Sequence, residues 1–163
     1  MPTNPFEPPE SEAPRREPVE PRSPFAAVML GLLVDVGGSI AVGIVTTVVY
    51  AKQLHDQGVP DAQLGDAMKA IPHDGALYMG SMLVGIALSV LGGYVCARVA
   101  RRGEYRAGLV MAATSTLVGL FLGQGGDGDA GMAGLLAVTG FACNLLGVKF
   151  GADHNRRAEA PSP

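Results

Sequence analysis

The chain has 163 residues, of which 48% are hydrophobic and only 17% charged, with a mean hydropathy of +0.27. A water-facing domain carries roughly 25% charged residues, so this composition excludes an ordinary soluble fold and points to an integral membrane protein. Lys+Arg 12 against Asp+Glu 15 gives a net charge of −3, which leaves no basic excess to meet a phosphate backbone and excludes nucleic acid as a partner.

The first 24 residues contain eight prolines, five glutamates and three arginines. Such a stretch has little apolar surface to bury, so residues 1–24 are expected to form a disordered, solvated tail. Its P-x-x-P spacings, in Pro18-Val-Glu-Pro-Arg-Ser-Pro24, are what a proline-rich tail produces by chance as well as what an aromatic groove would dock. The apolar stretch that follows starts too late and runs too long for a secretory signal, so the first helix is expected to stay attached.

A bilayer core about 30 Å thick requires about 20 consecutive apolar residues from a spanning helix. Four stretches meet that requirement. From Phe25 to Ala51 the one charge is Asp35, and the stretches from Gly75 to Ala97, Ala107 to Gly126 and Ala130 to Val148 have none. Barrel strands would be about half as long and would alternate apolar with polar residues. The expected fold is therefore all-α: a polytopic membrane protein with four transmembrane helices near 25–50, 75–99, 107–124 and 131–150. They make up a transmembrane domain over 25–151, followed by a C-terminal tail over 152–163.

The loop from Lys52 to Asp74 contains His55, Asp56, Asp61, Asp66, His73 and Asp74, in a spacing that matches no standard metal site. Pro60 and Asp61 instead open a short amphipathic helix with Leu64, Met68 and Ile71 on one face, suited to rest on the outer leaflet. Asp127-Gly-Asp129 lacks the later ligands of a calcium loop and reads as a turn.

Cations orient the bundle, because Lys and Arg in short flanking segments stay in the cytoplasm. Arg15, Arg16, Arg22, Arg98, Arg101, Arg102, Arg106, Lys149, Arg156 and Arg157 fall on one side, and Lys52 and Lys69 on the other. Both termini are expected to be cytoplasmic. The opening Asn4-Pro5-Phe6-Glu7-Pro8-Pro9 and the junction Gly92-Gly-Tyr-Val-Cys-Ala-Arg-Val-Ala-Arg-Arg102 resemble the leader and the second-to-third helix junction of uncharacterised small four-helix bacterial inner-membrane families. The resemblance implies a bacterial inner-membrane location and a four-helix architecture, and no activity.

Gly, Ala, Ser, Thr and Cys make up 40 of the 87 residues in 25–50, 75–97, 107–123 and 131–151. Small residues let helix backbones approach closely where lipid offers no hydrophobic drive. In the second helix Ser81, Gly85, Ser89, Gly93 and Ala97 recur every fourth residue and share one ridge. Thr139, Cys143, Gly147 and Gly151 repeat the pattern in the fourth helix, and Ser115, Gly119 and Gly123 in the third. These stripes predict packing within the bundle or between subunits, with general composition as the competing account.

Asp35 is the singular residue. Ten residues into its helix, at 1.5 Å per residue, it lies roughly 15 Å deep, near the bilayer midplane. A carboxylate there costs about 3 kcal/mol on insertion scales, so such residues face protein or water. Gly31, Ser39, Gly43 and Thr47 stand at fourth-residue spacing from it and place it on the small, polar ridge of the helix. Depth counts on the other helices put Ser89, Thr116 and Thr139 at its level and Asn144 about 7 Å nearer the cytoplasm. None is a cation. The polar layer Asp35, Ser89, Thr116, Thr139 and Asn144 reads either as a protonatable relay or ion-binding carboxylate, or as a hydrogen bond from Asp35 to Ser89 or a backbone carbonyl that locks helix one onto helix two.

No Ser-His or Cys-His pair falls at one depth, so no enzyme is expected, and no metal centre or cofactor. Cys96 and Cys143 read as small packing residues. The expected function is a non-enzymatic structural or interaction protein of the inner membrane, in contact with the lipid bilayer and with further copies of itself or another membrane protein. The alternative is a small proton- or ion-coupled transporter or channel element that uses Asp35.

Overall fold

The computed structural model describes residues 23–69, 75–123 and 130–159, and the described residues contain helix and no strand. The expected tail falls almost wholly outside the described residues, as do the Asp127-Gly-Asp129 turn, His73 and Asp74.

Helix α1 (Pro24–Leu32) opens with proline at its first turn, where a missing N–H costs nothing. It passes through a π turn (Leu33–Gly37) straight into α2 (Gly38–Asp56), so the first span is a single rod of 33 residues. Gly58, at φ +84°, ends it. The Val59 N–H donates back to the Leu54 carbonyl at 3.1 Å and the Gly58 N–H to that of His55 at 2.9 Å, a left-handed closure that favours glycine. Helix α3 (Asp61–Lys69) follows on Pro60. Leu64 and Ala67 are half-buried there while Gln63, Gly65 and Asp66 are exposed, an amphipathic face laid against α2. Ile71, expected on the same face, lies outside the described residues.

The remaining spans are α4 (Ala76–Ala100), α5 (Glu104–Gly123) and α6 (Ala130–Glu159). The α4–α5 hairpin closes through Arg101 and Gly103, at φ 47° and 69°. All four spans are long and apolar enough to cross a membrane. Helix α6 runs well past the expected close near 150. Ala152 and Asn155, assigned to a C-terminal tail from sequence, are buried helical residues. They stay helical because packing against α4 continues beyond the apolar stretch: the Asn155 amide donates to the Ala97 carbonyl at 3.0 Å.

Burial is inverted relative to a soluble protein. The core is mostly small or polar residues such as Ala27, Cys96, Ala97, Ala112 and Asn144, with Met111 and Val148 the large apolar side chains fully buried among them, while most large apolar side chains face outward, among them Phe121 at 84% exposure and Val138 at 69%. Apolar surface facing lipid incurs no penalty, and packing then rests on close backbone approach rather than on hiding large side chains. Helix α4 is the hub, packed against α1, α2, α5 and α6. Its seam with α6 is the tightest. A Cβ placed on Gly147 would lie 1.9 Å from the Val90 carbonyl oxygen, and one on Gly93 would lie 2.0 Å from that of Asn144. Gly151 meets Ala97 and the Tyr94 carbonyl at 2.7 Å in the same way.

The ridge expected beyond Asp35 is not the one that packs. Ser39, Gly43 and Thr47 are exposed, and the inward side of α2 runs through Gly38, Val42, Thr46, Tyr50 and Leu54. Below Asp35 the first span lies between α4 and α5; above it, among the described residues of the other three spans, it touches those of α4 alone. The facing direction therefore rotates toward the one remaining neighbour, and Gly38 sits against Leu88, whose side chain a Cβ would meet at 2.9 Å.

Candidate functional site

Asp35 lies at the centre of the π turn and is 3% exposed. Gly92 makes room for it: a Cβ on that residue would sit 2.8 Å from the Asp35 Cβ. Gly31, one turn earlier, lets the same stretch of α1 approach Cys96 and Gly92. The carboxyl group thus enters the bundle through a notch that two glycines open.

Each neighbouring span sends it one donor. The Ser89 hydroxyl on α4 donates to Oδ1 at 2.8 Å, the Ser115 hydroxyl on α5 to Oδ2 at 2.5 Å, and the Asn144 Nδ2 on α6 to Oδ2 at 3.0 Å. All three partners are neutral, and Asp35 makes no ion pair among the described residues. A serine hydroxyl both donates and accepts, so Ser89 and Ser115 suit either protonation state of the carboxyl. The amide does not have that freedom. Asn144 Nδ2 also donates to the Gly140 carbonyl at 3.2 Å, and a carbonyl can only accept, which fixes Nδ2 toward Asp35 and turns Oδ1 away. Asn144 is 1% exposed, and its Oδ1 is buried with no hydrogen-bond partner.

Of the residues expected in the polar layer, the structure brings together Asp35, Ser89 and Asn144. Thr116 is not in the cluster; its hydroxyl donates to the Ala112 carbonyl of its own helix at 2.8 Å. Thr139 is half-buried and makes no hydrogen bond to Asp35. Asn144 is level with the carboxyl rather than about 7 Å from it, because the depth count begins at Lys149 whereas α6 continues to Glu159. Ser115 is expected on a packing stripe, not in the layer. Depth cannot separate Ser115 from Thr116, one residue apart, but depth combined with the Ser115, Gly119, Gly123 stripe would have chosen the serine.

The stripe residues divide in the same way. Gly93, Gly147 and Gly151 sit at backbone contact, and Ser89 holds Asp35. A Cβ placed on Gly85 or Gly119 would meet nothing within 4 Å. Ser81 bonds to its own helix at the Tyr78 carbonyl, 2.8 Å away, and lines an open apolar groove of about 430 Å³ between α2 and α4. Cys143 is half-buried. The stripe packs only where α4 and α6 converge, and the upper half of α4 faces α2 across that groove.

A second polar cluster ties the arginine-bearing end. Asn155 is 4% exposed. It accepts from Arg98 Nη1 at 3.1 Å and donates to Glu104 Oε1 at 3.3 Å as well as to Ala97. It therefore joins the end of α4, the start of α5 and the last turns of α6. Nearby, the Tyr94 hydroxyl and His154 Nδ1 are 3.2 Å apart. Among the described residues no three His, Cys, Asp or Glu side chains gather.

No family of known sequences, curated protein or solved structure matches this chain.

Proposed function

We propose that this chain is a non-enzymatic structural or interaction protein of a bacterial inner membrane, with both termini in the cytoplasm, acting in the lipid bilayer as a homo-oligomer or beside another membrane protein. The observation that carries the reading is the Asp35 node: one carboxyl group bonded by a donor from each of the other three spans. In lipid such bonds, together with close glycine packing, replace the hydrophobic drive that holds a soluble bundle. A side chain committed to three partners is built to hold helices in register. The orientation rests on ten of the twelve cations flanking one end.

A second reading, a small proton- or ion-coupled transport element, is favoured by the π turn centred on Asp35, since such turns recur where a helix positions a functional group. Liposome flux assays at two pH values, comparing wild type with Asp35→Asn, separate the two. The structural reading expects flux no greater than in empty liposomes for both proteins and an intact bundle in the variant. Flux driven by a pH gradient in wild type and lost in Asp35→Asn would reject it.

A further inference from the structure

The α4–α5 hairpin carries three arginines, Arg101, Arg102 and Arg106, all of them exposed. The one carboxylate between them does not neutralise them. Glu104 is half-buried and accepts from the Asn155 amide at 3.3 Å. Asp153, on the adjoining end of α6, is 3.8 Å from Arg156 of its own helix. Among the described residues none of the three hairpin guanidinium groups makes an ion pair.

Their setting is as informative as their charge. Arg101 is held at φ 47°, a left-handed conformation that strains an L side chain and not a glycine. Orientation of the bundle calls for cations near the end of a span, not for an arginine at the one position of the hairpin that penalises it. Side chains kept in this conformation cluster at ligand clamps. Beneath the arginines the surface turns apolar. Leu109 and Val110 are 53% and 56% exposed and stand three and four residues after Arg106, on its face of α5 and one turn deeper into the span. The Arg106 side chain leans back toward the start of the helix, out of the apolar zone. Tyr105, 49% exposed, has the amphipathic ring that favours the boundary between headgroups and acyl chains.

We propose that the α4–α5 hairpin is a binding site for an anionic phospholipid, with the phosphate held by Arg101, Arg102 and Arg106 and an acyl chain laid along Leu109 and Val110. Guanidinium groups match phosphate in charge and in paired donors. A zwitterionic lipid brings its own cation beside the phosphate and leaves the hairpin charge unmatched, so the site selects a net negative headgroup. The exposed apolar face directly below selects a lipid over a soluble phosphate.

The proposal rests on the membrane placement of the reading above, and on neither its structural role nor its orientation. Full-length protein in an uncharged detergent is titrated with phosphatidylglycerol or with phosphatidylcholine of the same chains, and retained lipid is counted by native mass spectrometry. We expect phosphatidylglycerol to bind roughly tenfold more tightly than phosphatidylcholine, and than its own headgroup without acyl chains. Arg101→Gly and Arg106→Gln should each weaken it about fivefold, the equivalent of about 1 kcal/mol per arginine at an anionic surface. Arg101→Gly relieves backbone strain, so its loss of lipid should accompany a higher thermal midpoint without lipid, an outcome that misfolding does not produce. Arg157→Gln, an exposed cation of α6 at the same end, should change binding less than about twofold. Equal retention of the two lipids by folded protein overturns the site and leaves the membrane placement intact. Arg101→Gly and Arg157→Gln losing lipid equally would reduce the hairpin to general surface charge and overturn it too. Tighter binding of a soluble polyglutamate peptide than of phosphatidylglycerol would assign the arginines to an acidic protein segment instead.

Discussion

The seam between α4 and α6 allows a quantitative test with a single carbon atom. In Gly147→Ala the new Cβ would lie 1.9 Å from the Val90 carbonyl oxygen and 2.8 Å from the Tyr94 nitrogen. Both are backbone atoms, so no rotamer change relieves the clash, and the two helices have to part as rods. Reaching the 3.0 Å that real Cβ contacts respect takes about 1.1 Å of separation. The same displacement, if not compensated, would open the Asn144 to Asp35 hydrogen bond from 3.0 Å to about 4 Å, beyond hydrogen-bonding range. Overpacking of this kind costs about 1–3 kcal/mol, and a lost buried hydrogen bond about 1 kcal/mol more. Better helix propensity of alanine offsets up to about 1 kcal/mol. The net expectation is a loss of about 1–3 kcal/mol, a roughly 5- to 150-fold fall in the folded-to-unfolded ratio.

Gly85→Ala is the matched control, since Gly85 stands on the small-residue ridge of α4, the helix that Gly147 of α6 meets, yet a Cβ there would meet nothing within 4 Å. It should be neutral or slightly stabilising. The assay is an equilibrium titration with sodium dodecyl sulfate in mixed micelles, in a Cys143→Ser background. It is read by thiol labelling of Cys96, which is 0% exposed and so reacts only when the bundle opens. Equal midpoints for the Gly147 and Gly85 variants, within about 0.5 kcal/mol, would refute close backbone packing as the source of stability.

Three further outcomes follow from the geometry. Arg101 ends α4 at φ 47°, where an L side chain costs about 1–2 kcal/mol; Arg101→Gly should therefore raise the thermal midpoint in detergent, by a net gain of about 0.5–1 kcal/mol after the entropy of a freer unfolded chain. Asn155→Ala strips Arg98, Glu104 and the Ala97 carbonyl of one partner each. It should cost about 1–3 kcal/mol, with amide exchange accelerating first in the last two turns of α6. Asp35→Ala should destabilise the bundle by more than Asp35→Asn in the same detergent titration, because asparagine can still bond to Ser89 and Ser115 while alanine leaves the Ser115 and Asn144 donors without their shared acceptor. Equal losses for the two would show that the node holds no helices together.

What the linear order of residues determines is read along each helix separately. Twenty-odd apolar residues without a charge can satisfy their backbone groups in lipid only as a helix, so four spans and an all-helical fold follow from local composition. That Ser89 stands level with Asp35 follows as well, because rise per residue is a property of one helix. Rotation and relative height are properties of pairs. Ser115 rather than Thr116 faces the carboxyl, and Asn144 lies level with it, because α6 slides along α4 until Gly147 and Gly93 are at backbone contact. Ser39, Gly43 and Thr47 face outward because the first span leaves α5 above Asp35 and turns toward α4. Periodicity marks which residues share a face, but only the neighbouring helix decides which face is inside; in lipid, where both faces are apolar, that decision falls to steric fit and to a few hydrogen bonds.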